Sequence, residues 1–312
     1  MITFDAHCDT ATEALDRNEN IFRNSCQADL ERMGKLDSHV QVFAAFIDPE
    51  KYKGGELLRL IRVLDFFQRQ AEEFNDYIRV CRNYDEIDAA LSAGKTAALM
   101  SVENGGALQG DLSTLRMFYR LGVRSLGLTW NFTNEIADGV KDSANGTGLT
   151  AFGREVVSEM NSLGMLVDVS HLSEKSFWDV LEVAKAPLTA SHSNALALCP
   201  HPRNLSDSQI KAIKANSGVI GINLYPYFLT NTDKALIDDV VKHIEHIASL
   251  IGEDNIGLGA DLDGVECLPG GMKGIQDLSL IFERLYALNY SQTFIEKIAG
   301  GNFMDLVKRV LR

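Results

Sequence analysis

The chain has 312 residues, with 30 Lys plus Arg against 43 Asp plus Glu and a formal net charge of −13 at pH 7, an acidic excess that argues against nucleic acid or an anionic lipid surface as a partner. At 46% hydrophobic and 23% charged, it has the composition of a globular protein able to bury a large core. Its longest apolar stretches, such as Met165–Val167 and Gly218–Ile222, fall far short of the roughly 20 residues that cross a bilayer, and its five scattered cysteines (Cys8, Cys26, Cys81, Cys199, Cys267) contain no Cys-x-x-Cys pair and fit reduced thiols.

The N-terminus, Met1 to His7, has neither the basic nor the apolar region of a secretory signal, so a cytoplasmic location is expected. Short apolar runs then recur along the chain: Ile2–Ala6, Val40–Ile47, Thr96–Val102, Ser125–Trp130, Met165–Ser170, Pro187–Ser191, Gly218–Leu224 and Asn255–Ala260. Between them lie amphipathic stretches such as Glu56–Phe74, Gly153–Leu163 and Asp233–Ile251. Alternation of this kind predicts repeated βα units around a buried parallel sheet. Eight units predict a (β/α)8 barrel, an α/β fold, as one domain over residues 1–312. A usual barrel needs about 250 residues, and the surplus falls most obviously in the connection from Asp48 to Lys95. An open doubly wound sheet is the rival, but the chain has no Gly-rich phosphate loop of the kind such folds often carry.

Several of these runs end in donor-bearing residues. The first ends in His7-Cys8-Asp9, the third in Glu103, the fourth in Trp130, the fifth in His171, the sixth in His192 and the eighth in Asp261. In a barrel the C-terminal strand ends ring one mouth, so these residues would converge. Strand alternation puts His7 and Asp9 on one face, with Cys8 on the other as a small buried hydrophobe. Three imidazoles and three carboxylates without a thiolate suit an open catalytic metal site better than a closed structural one. With His7, Asp9, His171 and His192 as terminal ligands and Glu103 as a bridge, the donors suffice for two divalent ions, and a water shared between them would ionise near neutral pH. His39, His201, His243 and His246 are read as structural, the last two on an exposed helix face. Gly257 and Gly259 would leave the last strand bare for metal or substrate to approach.

The residues just named lie in longer pieces: Asp5-Ala6-His7-Cys8-Asp9, Val102-Glu103-Asn104-Gly105-Gly106, Leu128-Thr129-Trp130-Asn131, Asp168-Val169-Ser170-His171, Ser191-His192-Ser193 followed by Arg203-Asn204, and Gly259-Ala260-Asp261-Leu262-Asp263-Gly264. In these pieces and their order the chain resembles the membrane dipeptidase (renal dipeptidase) family of binuclear zinc peptidases, within the amidohydrolase-like barrels. The resemblance implies that His7 and Asp9 hold one zinc, that His171 and His192 hold the other, and that Glu103 bridges them. It implies that Arg203 grips the substrate's C-terminal carboxylate, a role suited to a planar guanidinium. It also implies that Asp261, in preference to Asp263, relays the proton from the attacking water to the leaving amine. Where many members have a His that steadies the oxyanion, this chain has Trp130, whose indole can donate a hydrogen bond but cannot become cationic.

The expected activity is therefore hydrolysis of short dipeptides, L-D dipeptides included, with two Zn2+ per chain, although other divalent metals could fill such ligands. The resemblance also implies a homodimer. The alternative keeps the barrel and metals but changes the reaction to a lactonase, deaminase or phosphoesterase. Some of those enzymes bridge their metals with a carboxylated lysine, and no strand end here presents one.

Overall fold

The structure is a computed structural model that describes residues 1–312 apart from the side chain of Asn145. Strands β1 (Ile2–Cys8), β2 (Ser38–Phe46), β3 (Ile78–Val80), β4 (Thr96–Glu103), β5 (Val123–Gly127), β6 (Leu166–Asp168), β7 (Thr189–Ala190), β8 (Val219–Ile222) and β9 (Ile256–Leu258) form one sheet. Every ladder in it is parallel. The ring closes because β1 pairs with β9 at Asp5↔Leu258, while β2 pairs directly with β4 from Val40↔Ala97 to Phe46↔Glu103. Eight strands thus make a closed (β/α)8 barrel. The ninth, β3, is not expected from the sequence: three residues are too few to show a period, and it only extends the N-terminal end of β4 before β5 takes up that edge at Met100. No helix among the described residues is long and apolar enough to cross a membrane.

Burial explains why the strands read as continuous apolar runs. Every residue of β4 is buried, as are those of β2 except its two ends, because parallel strands in a barrel are covered on both faces. Ala98, Met100 and Val102 of β4 pack outward with Leu60, Val63 and Phe67 of the helix Glu56–Glu73. Ala97 and Leu99 join Phe4, Val40 and Val42 in a separate inner cluster. Phe303, on the helix Asn302–Val310, stacks on Phe4 with ring centroids 5.1 Å apart.

One irregularity in β1 positions the site. Asp5 pairs with Gln41 and Cys8 with Phe43, so three residues of β1 stand opposite two of β2. Such a bulge reverses the phase of the strand. Phe4 and Ala6 belong to the inner cluster, yet Cys8 belongs to the outer one, and His7 is turned toward Glu103. Simple alternation places Asp5 with His7. Instead Asp5 is a structural tie, accepting from Ala260 N at 2.7 Å and from Gln41 Nε2 at 3.0 Å.

Several further expectations are corrected. A Cβ on Gly257 would strike the Phe303 ring, and one on Gly259 would strike the Ser191 carbonyl. Both glycines therefore serve close packing within the fold and not access for a ligand. His243 is buried and not on an exposed face: it accepts from Ala195 N at 3.0 Å and its Nε2 lies 3.0 Å from Leu229 O. His246 is half-buried against Asp207 at 2.9 Å.

Candidate metal centre and active site

The barrel mouth gathers the predicted donors from its strand ends. His7 lies in the β1 bulge and Asp9 just past the strand, Glu103 ends β4, His171 stands three residues after β6, His192 two after β7, and Asp261 three after β9. All six are buried. Two of them adopt left-handed backbone conformations, His171 at φ 68° and Asp261 at φ 61°, a strained choice for non-glycine residues that is concentrated at functional sites.

Glu103 is central. Its Oε1 lies 2.9 Å from His171 Nε2 and 3.9 Å from His192 Nε2, while its Oε2 lies 3.2 Å from His7 Nε2. One carboxylate oxygen thus faces each histidine group. His7 Nε2 is also 3.4 Å from Asp9 Oδ2 and 3.9 Å from Asp261 Oδ1. Neither His7 Nε2 nor Asp9 Oδ1 has a hydrogen-bond partner although both are buried, which is costly unless a cation takes them.

The outer ring nitrogens sharpen this demand. His171 Nδ1 lies 2.9 Å from Asn131 Oδ1, an acceptor, so Nδ1 carries the proton. His192 Nδ1 lies 2.7 Å from Ser191 Oγ. That hydroxyl donates in turn to Asp168 Oδ2, while Asp168 Oδ1 accepts from Ser170 N and Ser191 N, both at 3.0 Å. With its hydroxyl proton committed to Asp168, Ser191 accepts from His192 Nδ1–H. Both Nε2 atoms then bear lone pairs, yet they stand 2.9 Å apart and face the Glu103 carboxylate. Lone pairs converging in this way fit a bound cation, and nitrogen with carboxylate oxygen suits a borderline divalent metal.

Electrostatics agree. Burial works against the charged form of His7, but Glu103 and Asp9 outweigh it and hold its pKa well above the ordinary histidine value. Burial opposes ionisation of Glu103 as well, yet His7 and His171 hold it well below the usual carboxylate range. Burial, with Glu103 and Asp261 adding to it against His7, pushes Asp9 up to about 7. Burial raises Asp261 to about 6, opposed by His7 and by Asn223 and reinforced by Glu103. Burial and the Arg203 charge lower His171 to about 4, and burial with His7 and Arg203 lowers His192 well below its ordinary value. His171 and His192 are thus held neutral beside closely spaced carboxylates, the state a metal needs, whereas His7 must give up a proton to bind one.

The centre opens into a cavity of about 410 Å³ that also touches Arg203, Trp130 and Asp261. Arg203 is 6% exposed, donates from Nη2 to His192 O at 3.2 Å and leaves Nε without a partner. Trp130 forms an aromatic wall with Phe46 and Phe132, at centroid separations of 5.3 and 5.7 Å. Asp263, the weaker candidate by sequence, is turned away: it accepts from Thr10 Oγ1 at 2.6 Å and from Gln27 N.

Sequence reasoning missed Asn223, whose Nδ2 donates to Asp261 Oδ2 at 2.8 Å. It also missed the Asp168–Ser191 support of His192 and the Asn131 support of His171. Position alone gave a signal for each, because Asn223 lies in the seventh apolar run and Ser191 directly precedes a histidine, but the partners that complete these supports lie 23 or more residues away.

Comparison with known proteins places this geometry among relatives. The whole chain, residues 1–312, matches the family described as membrane dipeptidase, peptidase family M19. It is 38% identical over 253 residues to dipeptidase tcpJ of Claviceps purpurea, covering 79% of this chain and 59% of that protein. It is 34% identical over 300 residues to an uncharacterized dipeptidase of Schizosaccharomyces pombe, covering 90% and 71%. A metallo peptidase from Rhodobacter sphaeroides, solved with a phosphinate mimic of the dipeptide L-Ala-D-Ala, superposes with a TM-score of 0.91 at 27% identity over 99% of both chains.

Proposed function

This chain belongs to the membrane dipeptidase family of metallopeptidases, which are peptide-bond hydrolases, and on that premise we propose that it cleaves short dipeptides, L-D dipeptides included, at a centre of two zinc ions. His7 and Asp9 would hold one ion and His171 and His192 the other, with Glu103 shared. The observation that carries this reading is the convergence of His171 Nε2, His192 Nε2 and Glu103 Oε1 beside the unpartnered His7 Nε2 and Asp9 Oδ1. When bound, such ions would supply Lewis acidity toward the peptide carbonyl and would lower the pKa of water toward neutrality.

The chain's own residues do the rest. Arg203, buried and with its Nε unpartnered, receives the substrate's C-terminal carboxylate and so fixes one end of a short substrate. Asp261 stands at the edge of the centre, 3.9 Å from His7 Nε2 and steadied by Asn223. Its raised pKa suits a carboxylate that takes a proton from the attacking water and returns it to the departing amine. Trp130 closes the wall and contributes shape without positive charge. The inclusion of L-D dipeptides is supported by the dipeptide mimic bound to the Rhodobacter sphaeroides relative.

The test is metal content per chain on protein purified without chelator, together with hydrolysis of L-L and L-D dipeptides, lactones and phosphodiesters. About two zincs and L-D cleavage are expected. Two zincs with lactone or phosphodiester cleavage alone would reject the dipeptidase reading.

A further inference from the structure

We propose that the substrate's own side chain is acidic, so that the cavity receives a dipeptide bearing two carboxylates and one ammonium group. This rests on the dipeptidase reading above and adds the substrate class. Of the charged groups lining the cavity, Asp9, Glu103, His171 and Asp261 belong to the metal centre and its proton transfer. Three charges remain on the wall: Arg203, Lys141 and Glu266. None of the three forms an ion pair among the described residues. Arg203 keeps a bare Nε. Glu266 is exposed at the cavity rim, where Tyr225, a neutral group, lines the same wall. Lys141 has aromatic neighbours, its Nζ lying 4.8 Å from the Phe132 centroid and 5.7 Å from that of Trp130.

Two unpaired cations and one unpaired anion are the complement of a substrate with two carboxylates and one ammonium. A neutral dipeptide zwitterion answers Arg203 and Glu266 and leaves Lys141 unmatched. A basic dipeptide leaves Lys141 facing a further positive charge. Lys141 is also held in place: its backbone N donates to Asn131 O at 2.9 Å, the residue that orients His171. Its backbone is therefore fixed at the rim, and the ammonium rests over an aromatic surface that attracts a cation without neutralising it. Because Lys141 is exposed, its pull on an acidic side chain is moderate and screened by salt.

The experiment compares kcat/KM of the zinc-loaded enzyme for L-Ala-D-Ala, L-Ala-D-Glu and L-Ala-D-Lys, with their L-L counterparts, in the natural chain and in Lys141→Met and Lys141→Glu. The acidic dipeptide should be preferred over the neutral one by about fivefold through KM. That ratio should fall toward unity in Lys141→Met, invert in Lys141→Glu, and shrink at high salt in the natural chain. Equal cleavage of neutral and acidic dipeptides, with a ratio that Lys141→Glu does not move, overturns this inference and leaves the dipeptidase reading standing. Preference for the basic dipeptide overturns it too and makes Glu266 the side-chain contact. If no dipeptide is cleaved by zinc-loaded protein, both readings fall.

Discussion

His171 and His192 bring their Nε2 atoms to 2.9 Å of each other across 21 residues of sequence, while each keeps its other ring nitrogen on a fixed partner. Such a pair suits a cation and is poor as a metal-free hydrogen bond, because both facing atoms carry lone pairs when each proton sits on Nδ1. Beside it, the metal-free protein stores protons: His7 has a pKa well above its ordinary value, and Asp9 is raised to about 7. On the proposed ligand assignment a metal needs neutral His7 and ionised Asp9, so loading should release protons, and affinity should rise with pH up to neutrality. Calorimetric titration with zinc just below neutral pH, in two buffers of different ionisation enthalpy, should show net proton release. Zero release would contradict the ligand assignment of His7 and Asp9.

Glu103→Gln keeps the shape of the shared side chain but removes the anion between the two histidine groups. Bound metal per chain should drop, and kcat/KM should fall by at least about 100-fold. Emission spectrometry and dipeptide kinetics on the same preparation check both effects, and full activity in this variant would sink the bimetallic model.

Ser191→Ala breaks the hydroxyl that links His192 Nδ1 to Asp168. His192 loses the acceptor that keeps its proton on Nδ1, and Asp168 loses one of its donors. Metal affinity should weaken by about 10–100-fold, as read from chelator competition, and the 15N shifts of the metal-free His192 ring should report a change of tautomer. An unchanged tautomer would reduce Ser191 to a packing residue.

Asp261→Asn should lower kcat by about 10²–10⁴-fold with little change in KM or metal content, because Arg203 and the five proposed ligands stay in place. The milder Asn223→Ala removes a donor to the ionised Asp261 carboxylate. That loss favours the protonated form, so the acid limb of the kcat/KM profile should move to higher pH. A limb that stays put would show that it belongs to another group.

His39 carries a pH-dependent share of stability far from the mouth. It is fully buried beside Gln41, and burial lowers its pKa from 6.5 to about 4, against a smaller opposing effect of the Gln41 hydrogen bond. The folded state keeps it neutral while the unfolded chain takes up a proton below 6.5. Stability is therefore whole above 6.5, declines as pH falls toward about 4, and levels off below that. The loss across this window amounts to about 3 kcal/mol. Urea unfolding of the natural chain and of His39→Gln at several pH values should show a shallower acid dependence in the variant, and parallel curves would contradict this.

The donors at the strand ends are legible in the amino-acid sequence because a parallel barrel imposes a simple rule: each buried run is apolar through its length and changes character at one mouth. Glu103, His171 and His192 each follow such a run, and their convergence needs only the closure of the ring. Asp261 and Asp263 are harder to separate, since two residues apart on a regular strand they share a face. Both in fact lie past the strand in left-handed conformations, and loop packing sends one to His7 and the other to Thr10. The supports of the histidines escape a sequence reading for a related reason, since hydrogen-bond partners such as Asp168 and Ser191 come from neighbouring strands whose register no local pattern encodes.

By itself the sequence determined the class of fold, the order of the eight strands and the kinds of donor atoms at their ends, because burial on both faces and the chemistry of His, Asp and Glu act locally on residues a few positions apart. Only the tertiary structure decided which way those donors point. The β1 bulge turns His7 inward, ring closure sets one Glu103 oxygen toward each histidine group, and the Asp168–Ser191 chain fixes which nitrogen of His192 is left bare. Each depends on register between strands or on contact between loops distant in sequence, where a shift of one residue would reverse the face a side chain presents.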